Sequence, residues 1–304
     1  MPRYIIGIDV GGTNTKIGLL SPSGKILSRT RLDTKSFNRG KDLFLDALVN
    51  SSKALLQSRA LKRSDIAGIG VGWPGFIDPQ AGVIKYLPNM PGWKNVKAAQ
   101  LLRRRFQLPV FIENDVNLIT LAEWKMGAGI GVSNLLCLTV GTGVGGGLVL
   151  NDRLYHGSTF SAGEIGHVPY RDKTIEEFIG NKHLHKKAVA LFRKRSIHNR
   201  DITAMARKGN AKAIRYWREL GEHLGFVLAG AVNLVNPELI IIGGGVAKNF
   251  DMFAPTVRET LKQKSILIAR QRVRVVRAKL GDDAGVLGAY LLVKGSLERV
   301  IDTL

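Results

Sequence analysis

Short β-branched apolar runs, broken by glycine, alternate along this chain with stretches whose apolar residues recur at helical spacing. Tyr4 to Asp9 reads as a strand that turns at Gly11 and Gly12, resumes over Ile17 to Leu20, turns through Ser21-Pro22-Ser23-Gly24 and continues from Lys25 to Arg31. That pattern predicts an antiparallel meander. Between Asp42 and Leu61 the positions Leu43, Phe44, Ala47, Leu48, Ala54 and Leu55 keep near-helical spacing, and the apolar run Ile66 to Val71 after them reads as a buried parallel strand. Two loops dense in glycine and proline follow at 72–82 and 87–93, then a helix over Gln100 to Phe106 and a brief strand, Val110 to Ile112. Glu113-Asn114-Asp115 lies at the carboxyl end of that strand, where open α/β sheets bind ligands, and Val116 to Met126 reads as a helix.

From Leu135 the opening pattern returns: strand, a glycine turn over Gly141 to Gly147, strand Leu148 to Leu150, a turn at Asn151-Asp152, and Arg153 to Tyr155. Asp9 to Leu20 and Thr139 to Leu150 are both strand, Gly-Thr turn, strand, so the chain reads as a weak internal duplication giving two similar lobes. Lys173 to His198 and Ala211 to Val235 read as helices, and Leu239 to Ile242 as a buried strand running into Gly243-Gly244-Gly245. A strand with one basic face is expected where Arg270, Arg272 and Arg274 alternate with Val273 and Val275, and Gly285 to Lys294 has a helical pattern. The division expected is a smaller lobe of residues 1–115, joined by a C-terminal helix at about 290–304, and a larger lobe of 116–289.

Composition narrows the class. With 304 residues, 45% of them hydrophobic and 23% charged, the chain can bury a substantial core, and disorder is not the reading. No apolar run is long enough for a membrane span and no signal-peptide layout opens the chain, so a cytoplasmic protein is expected. One cysteine, Cys137, excludes internal disulfides and any zinc site of several thiolates. The net charge of +21 points to anionic substrates or polyanionic partners, but the basic residues are dispersed without interleaved aromatics, so a solvated surface is favoured over a nucleic-acid site.

The glycine clusters carry the chemistry. A GxGxxG pattern occurs twice, at Gly141 to Gly146 and at Gly70 to Gly75, but a dinucleotide fingerprint needs a helix after the glycines, and LVLNDRLY turns like a hairpin. No GxxxxGK[ST] is present. Glycine turns leave backbone N–H groups open to an anion. Gly11 and Gly12 fit a tight turn or a phosphate cradle, and Thr13, Asn14 and Thr15 tilt them to phosphate. Gly243 to Gly245 fit a strand-to-helix turn or bare backbone against a flat base. Asp115 fits a helix N-cap or a ligand role, with the ligand role favoured by its place at a strand end. His167 alone would be structural; Glu164 three residues before it makes a paired polar presentation more credible.

These segments in order, DVGGTNTKIG (9–18), GWPGFID (72–78), ENDVN (113–117), GTGVGGGLVLNDRLYHG (141–157), AGEIGH (162–167) and PELIIIGGGVAKNFDMF (237–253), resemble the successive motifs of the ROK sugar kinases. The resemblance implies an α/β actin-like ATPase fold, two ribonuclease-H-like lobes with ATP and sugar in the cleft between them. DVGGT (Asp9, Gly11, Gly12, Thr13, with Asn14 next) resembles the first phosphate segment, Gly141-Thr142-Gly143 the second, and Gly243-Gly244-Gly245 the adenosine segment. It further implies Asp115 as catalytic base, Asn114, Glu164 and His167 on sugar hydroxyls, Gly75 on the sugar loop, and a dimer.

Many ROK kinases follow the histidine with a cysteine-rich zinc segment; here HVPYRDKTIEEFIG lacks cysteine, so no structural zinc is expected. Glu176 aligns with that segment's glutamate, with Glu177 one residue away. Asp9 is the candidate for organising Mg²⁺ through water. The implied activity is ATP-dependent phosphorylation of a hexose primary hydroxyl, glucose first. A kinase for mannose, fructose or N-acetylmannosamine, a polyphosphate-using glucokinase, and a sugar-sensing regulator are the alternatives; for the last, a core that starts by Tyr4 leaves no room for a helix-turn-helix.

Overall fold

The computed structural model describes residues 3–37, 40–88 and 90–302. Contacts divide the chain into two units, the first of residues 1–122, 156–161 and 282–304, the second of 123–155 and 162–281. The boundaries thus fall at 122/123 and 281/282, where the sequence reading places 115/116 and 289/290, and six residues of the later chain join the first unit.

The first unit is built on a five-stranded sheet. Its strands are β1 (Tyr4–Val10), β2 (Asn14–Leu20), β3 (Ile26–Asp33), β4 (Ile66–Trp73) and, after a small sheet described below, β8 (Val110–Asn114), in the order β3-β2-β1-β4-β8. β1, β2 and β3 pair antiparallel, while β4 and β8 join parallel. Helix α1 (Lys41–Gln57) buries Phe44, Leu45, Leu48, Val49 and Leu55, a stripe at helical spacing, and stops four residues before the expected Leu61. Phe44 meets Trp73 edge-on at 6.0 Å, and Trp73 lies 4.8 Å from Trp93. Each such aromatic contributes about 1.5–3 kcal/mol through burial. A three-stranded sheet forms around the two loops expected at 72–82 and 87–93: β5 (Phe76–Asp78) inside the first, β6 (Val83–Tyr86) between them and β7 (Lys94–Val96) after the second, all too short to show periodicity. Helix α2 (Ala98–Phe106) leads into β8, and α3 (Asp115–Met126) leaves it; the unit boundary falls inside α3. The last helix, α10 (Ala284–Asp302), lays Val286, Ala289 and Val293 over Gly7, Gly70 and Gly68 of β1 and β4. Residues 303–304 of the expected C-terminal helix lie outside the described residues.

The second unit repeats the plan. β9 (Leu135–Val140), β10 (Val144–Leu150), β11 (Arg153–Tyr155), β14 (Leu239–Gly243) and β15 (Arg274–Arg277) order as β11-β10-β9-β14-β15, again three antiparallel strands followed by two parallel ones. The expected duplication is therefore present as topology. Strand β10 corrects the turn expected over Gly141 to Gly147. Gly145, Gly146 and Gly147 pair with Thr139, Leu138 and Cys137 inside the ladder, and the turn is confined to 141–143. Cys137 is buried within β9.

The helix expected over Lys173 to His198 is also corrected. A hairpin of β12 (Pro169–Tyr170) and β13 (Lys173–Thr174) comes first, followed by a short α4 (Glu176–Ile179) and then α5 (Asn181–Phe192), ended by Arg193 in left-handed conformation. Gly180, extended at ψ 147°, separates α4 from α5. α6 (Asn199–Arg207) precedes the 25-residue α7 (Ala211–Val235), whose apolar stripe packs with α8 (Phe250–Lys264) in the core. The basic alternation near Arg270 is divided between α9 (Leu267–Arg270) and β15, so the expected single strand does not form.

Candidate active site

In the first unit the β1–β2 turn carries Gly11, Gly12 and Thr13, closed by Gly11 N–H donating to the Asn14 carbonyl at 3.1 Å. Gly12 has open space where a Cβ would stand, so its backbone is free to approach an anion. Asp9, just before the turn, pairs across the ladder with Lys16, whose Nζ lies 3.6 Å from Asp9 Oδ2. The first turn of α10 covers the carboxylate, with Gly285 against it. Burial raises the Asp9 pKa above the usual aspartate value, Lys16 opposes that shift, and Asp282 adds to it.

The end of β8 places Asn114 and Asp115 at the start of α3. Asn114 Oδ1 accepts the N–H groups of Val116 (2.9 Å) and Asn117 (3.0 Å), and its Nδ2 donates to the Gly75 carbonyl at 2.9 Å. Asn114 thus does most of the capping that the sequence offered to Asp115, whose Oδ1 shares the Val116 N–H at 2.9 Å. Asp115 occupies the first helical turn, partly exposed, where the helix dipole favours a carboxylate. Gly75, expected on the sugar, orients the Asn114 amide.

In the second unit the β9–β10 turn, Gly141-Thr142-Gly143, is closed by Gly141 N–H donating to the Gly143 carbonyl at 2.9 Å, and Gly141 too has open space where a Cβ would stand. The Gly141 carbonyl accepts from Asn181 N–H at 2.9 Å, tying the turn to the start of α5. Gly243, Gly244 and Gly245 end β14. Gly244 has φ +81°, and a Cβ there would lie 2.4 Å from the Val140 carbonyl, so at least this glycine has a structural reason. Beside Gly245 is a cavity of about 280 Å³ lined by His198, Asn199, Arg200, Gly245, Lys248 and Asn249. The sequence reading gave a role only to the glycines; the other lining side chains come from His198 and the start of α6 and from Lys248 and Asn249 later in the same motif.

AGEIGH crosses β10. A Cβ on Gly166 would lie 2.1 Å from the Val144 carbonyl, which explains a glycine between Glu164 and His167. Those two side chains flank that contact, Glu164 Oε2 3.8 Å from His167 Nε2, with the histidine largely exposed. Burial raises the Glu164 pKa; His167 lowers it and Glu176 raises it further. Glu176 Oε2 accepts the Val144 N–H at 2.7 Å, whereas Glu177 turns back to the Thr174 N–H at 3.2 Å. Of the two glutamates, it is Glu176 that stands near Glu164. Two further residues lie inside the sequence motifs without a site role assigned to them. Lys16 follows Asn14 by two positions, which places it opposite Asp9 in the hairpin; Glu113, buried next to Asn114, bonds His156, a partner that no local pattern signals.

Among the described residues no group of three or more His, Cys, Asp or Glu is placed to hold a metal ion, and no helix is long and apolar enough to cross a membrane. Mg²⁺ that arrives on a nucleotide keeps several waters and needs only one or two carboxylates, and Asp9 is the carboxylate just before the β1–β2 turn. The raised Asp9 pKa marks a buried carboxylate whose charge a cation would stabilise.

Two lobes of one ribonuclease-H-like topology, each with a glycine turn between its first two strands, define an actin-like ATPase fold. Residues 5–296 match the ROK family, and the chain belongs to it. A glucokinase from Halalkalibacterium halodurans is 31% identical over 99% of this chain and 99% of its own. The ROK family glucokinase from Streptomyces griseus, solved in complex with glucose and AMPPNP, superposes with a TM-score of 0.82 at 26% identity, covering 96% of this chain and 99% of that one. The xylose repressor of Caldicellulosiruptor bescii is 28% identical over 95% of this chain and 77% of its own, so likeness to the family extends to regulators.

Proposed function

We propose that this chain transfers the γ-phosphoryl group of ATP to the primary hydroxyl of a hexose, with glucose the first acceptor to test. The observation that carries the reading is the division of labour at α3. Asn114 holds the start of α3 and shares the Val116 N–H with Asp115 Oδ1, which sets Asp115, partly exposed in the first turn, as the carboxylate for the acceptor hydroxyl. Asp115 takes the hydroxyl proton as the oxygen bonds to phosphorus. Phosphoryl transfer has a loose transition state, so alignment and charge stabilisation supply most of the rate. The open turns at Gly12 and Gly141 offer N–H groups to the phosphates, and the cavity beside Gly245 fits the nucleoside. Mg²⁺ bound with ATP would neutralise phosphate charge, held toward Asp9. Glu164 and His167 take sugar hydroxyls, and the raised Glu164 pKa suits a group that shares protons with them. The S. griseus glucokinase bound to glucose supports the choice of acceptor.

ADP release measured over glucose, mannose, fructose and N-acetylmannosamine, with ATP and with polyphosphate as donors, tests the reading. Turnover with ATP and glucose well above the others is the expected result. Preference for an amino sugar or for polyphosphate would reassign the substrate, and no turnover with any pair would favour a sugar-binding regulator. We further propose a homodimer. The ROK resemblance supports it, and light scattering coupled to size exclusion checks it.

A further inference from the structure

His156 belongs to none of the residues given a sugar, nucleotide or proton role, yet its ring is bonded to the residue just before Asn114 and Asp115. His156 Nε2 lies 2.7 Å from Glu113 Oε2, and the Glu113 side chain is only 3% exposed. A carboxylate so deep must have its lone pairs occupied. Glu113 Oε1 accepts the backbone N–H of Asn114 at 2.8 Å and the side-chain amide of Asn117 at 3.1 Å. Oε2 accepts from His156. The carboxylate thus fixes the backbone at Asn114 through one oxygen and is itself anchored through the other.

The segment that brings His156 there is notable. Residues 156–161 belong to the first unit while the chain on either side belongs to the second, and the His156 ring meets Phe160 edge-on at 6.2 Å. The hydrogen bond joins residues 43 positions apart, and it ends one residue from the cap of α3.

We propose that His156 is a positioning residue for the acceptor site. By donating Nε2–H to Glu113 it holds the carboxylate in the rotamer that fixes the Asn114 backbone, and so sets how Asp115 meets the acceptor hydroxyl. Without that donor Glu113 turns towards water, which breaks its bond to the Asn114 N–H. That shifts Asp115 relative to the hydroxyl, and a misplacement of about 1 Å costs up to about 100-fold in rate. The proposal rests on Asp115 as the base.

The test compares His156→Leu, which removes the donor, with His156→Gln, whose side-chain amide can place an N–H near the imidazole Nε2 position. His156→Leu is expected to lower kcat about 10- to 100-fold with KM for ATP unchanged, and His156→Gln to restore most of it. A role in folding alone would lower the amount of active protein and Tm in both variants while leaving kcat per active site intact. Wild-type kcat in His156→Leu, or equal losses in both variants, overturns the proposal. A crystal structure of His156→Leu gives a readout independent of turnover. Glu113 Oε1 is expected to leave hydrogen-bond distance of the Asn114 N–H, and an unmoved carboxylate also overturns the proposal. Asp115→Asn, assayed in parallel, separates the two failures. If it keeps full turnover the base reading falls; if it is inactive while His156→Leu is unimpaired, only the positioning role falls.

Discussion

The Glu176 carboxylate accepts the backbone N–H of Val144 at 2.7 Å, so a residue expected on the sugar is fastened to the second glycine turn. Val144 is 4% exposed, and shortening Glu176 removes the acceptor of its N–H. Leaving a buried donor unpaired costs about 1–3 kcal/mol. Glu176→Ala is therefore expected to lower kcat/KM for ATP as well as for the hexose, each by about 10-fold or more. Glu176→Gln, which retains an acceptor oxygen, should lose less. Steady-state kinetics with each substrate varied in turn checks this; an ATP kcat/KM unchanged in Glu176→Ala would detach Glu176 from the nucleotide turn.

Asn114 and Asp115 should separate into stability and chemistry. Removing the cap in Asn114→Ala costs about 1 kcal/mol and lowers Tm. Asp115→Asn leaves the cap in place, so Tm should hold while kcat falls about 100-fold or more. Thermal unfolding and initial rates on the same preparations decide it. Near-normal turnover in Asp115→Asn would remove the base assignment.

Gly166→Ala puts a methyl group 2.1 Å from the Val144 carbonyl, which the backbone must move to relieve. The expected cost is about 1–3 kcal/mol in urea unfolding. A raised KM for sugar should accompany it, because Glu164 and His167 flank the glycine. Wild-type stability together with wild-type KM would mean that this crossing of β10 is loose.

His223 gives a pH signature. Burial, with Lys187 and Arg171 nearby, lowers its pKa from 6.5 to about 4, while its Nδ1 lies 3.0 Å from the Tyr170 hydroxyl. Between those two values the unfolded chain binds a proton that the folded chain refuses, so stability falls as pH drops through that window. His223→Gln removes the group, and its Tm should decline less than that of the wild-type protein between about pH 7 and about pH 5. Parallel declines would exclude His223 as a source of acid sensitivity.

The sequence alone determined what depends on near neighbours. Strand and helix periods, glycine turns after β1 and β9, the duplicated opening, and the order of six motifs were all legible, because each rests on residues a few positions apart. The tertiary structure decided the rest. It drew Gly145 to Gly147 into β10, because a ladder partner in β9 compensates for poor strand propensity. It broke the expected helix at Gly180 and turned Glu176 onto Val144 N–H rather than leaving it to the sugar alone. It turned the Asn114 amide onto the Gly75 carbonyl, so that its Oδ1 accepts the N–H groups of Val116 and Asn117 at the start of α3. It also set His156 on Glu113 across 43 positions, a pairing written in no period, because a buried carboxylate takes its partner from whatever the fold brings within hydrogen-bond reach.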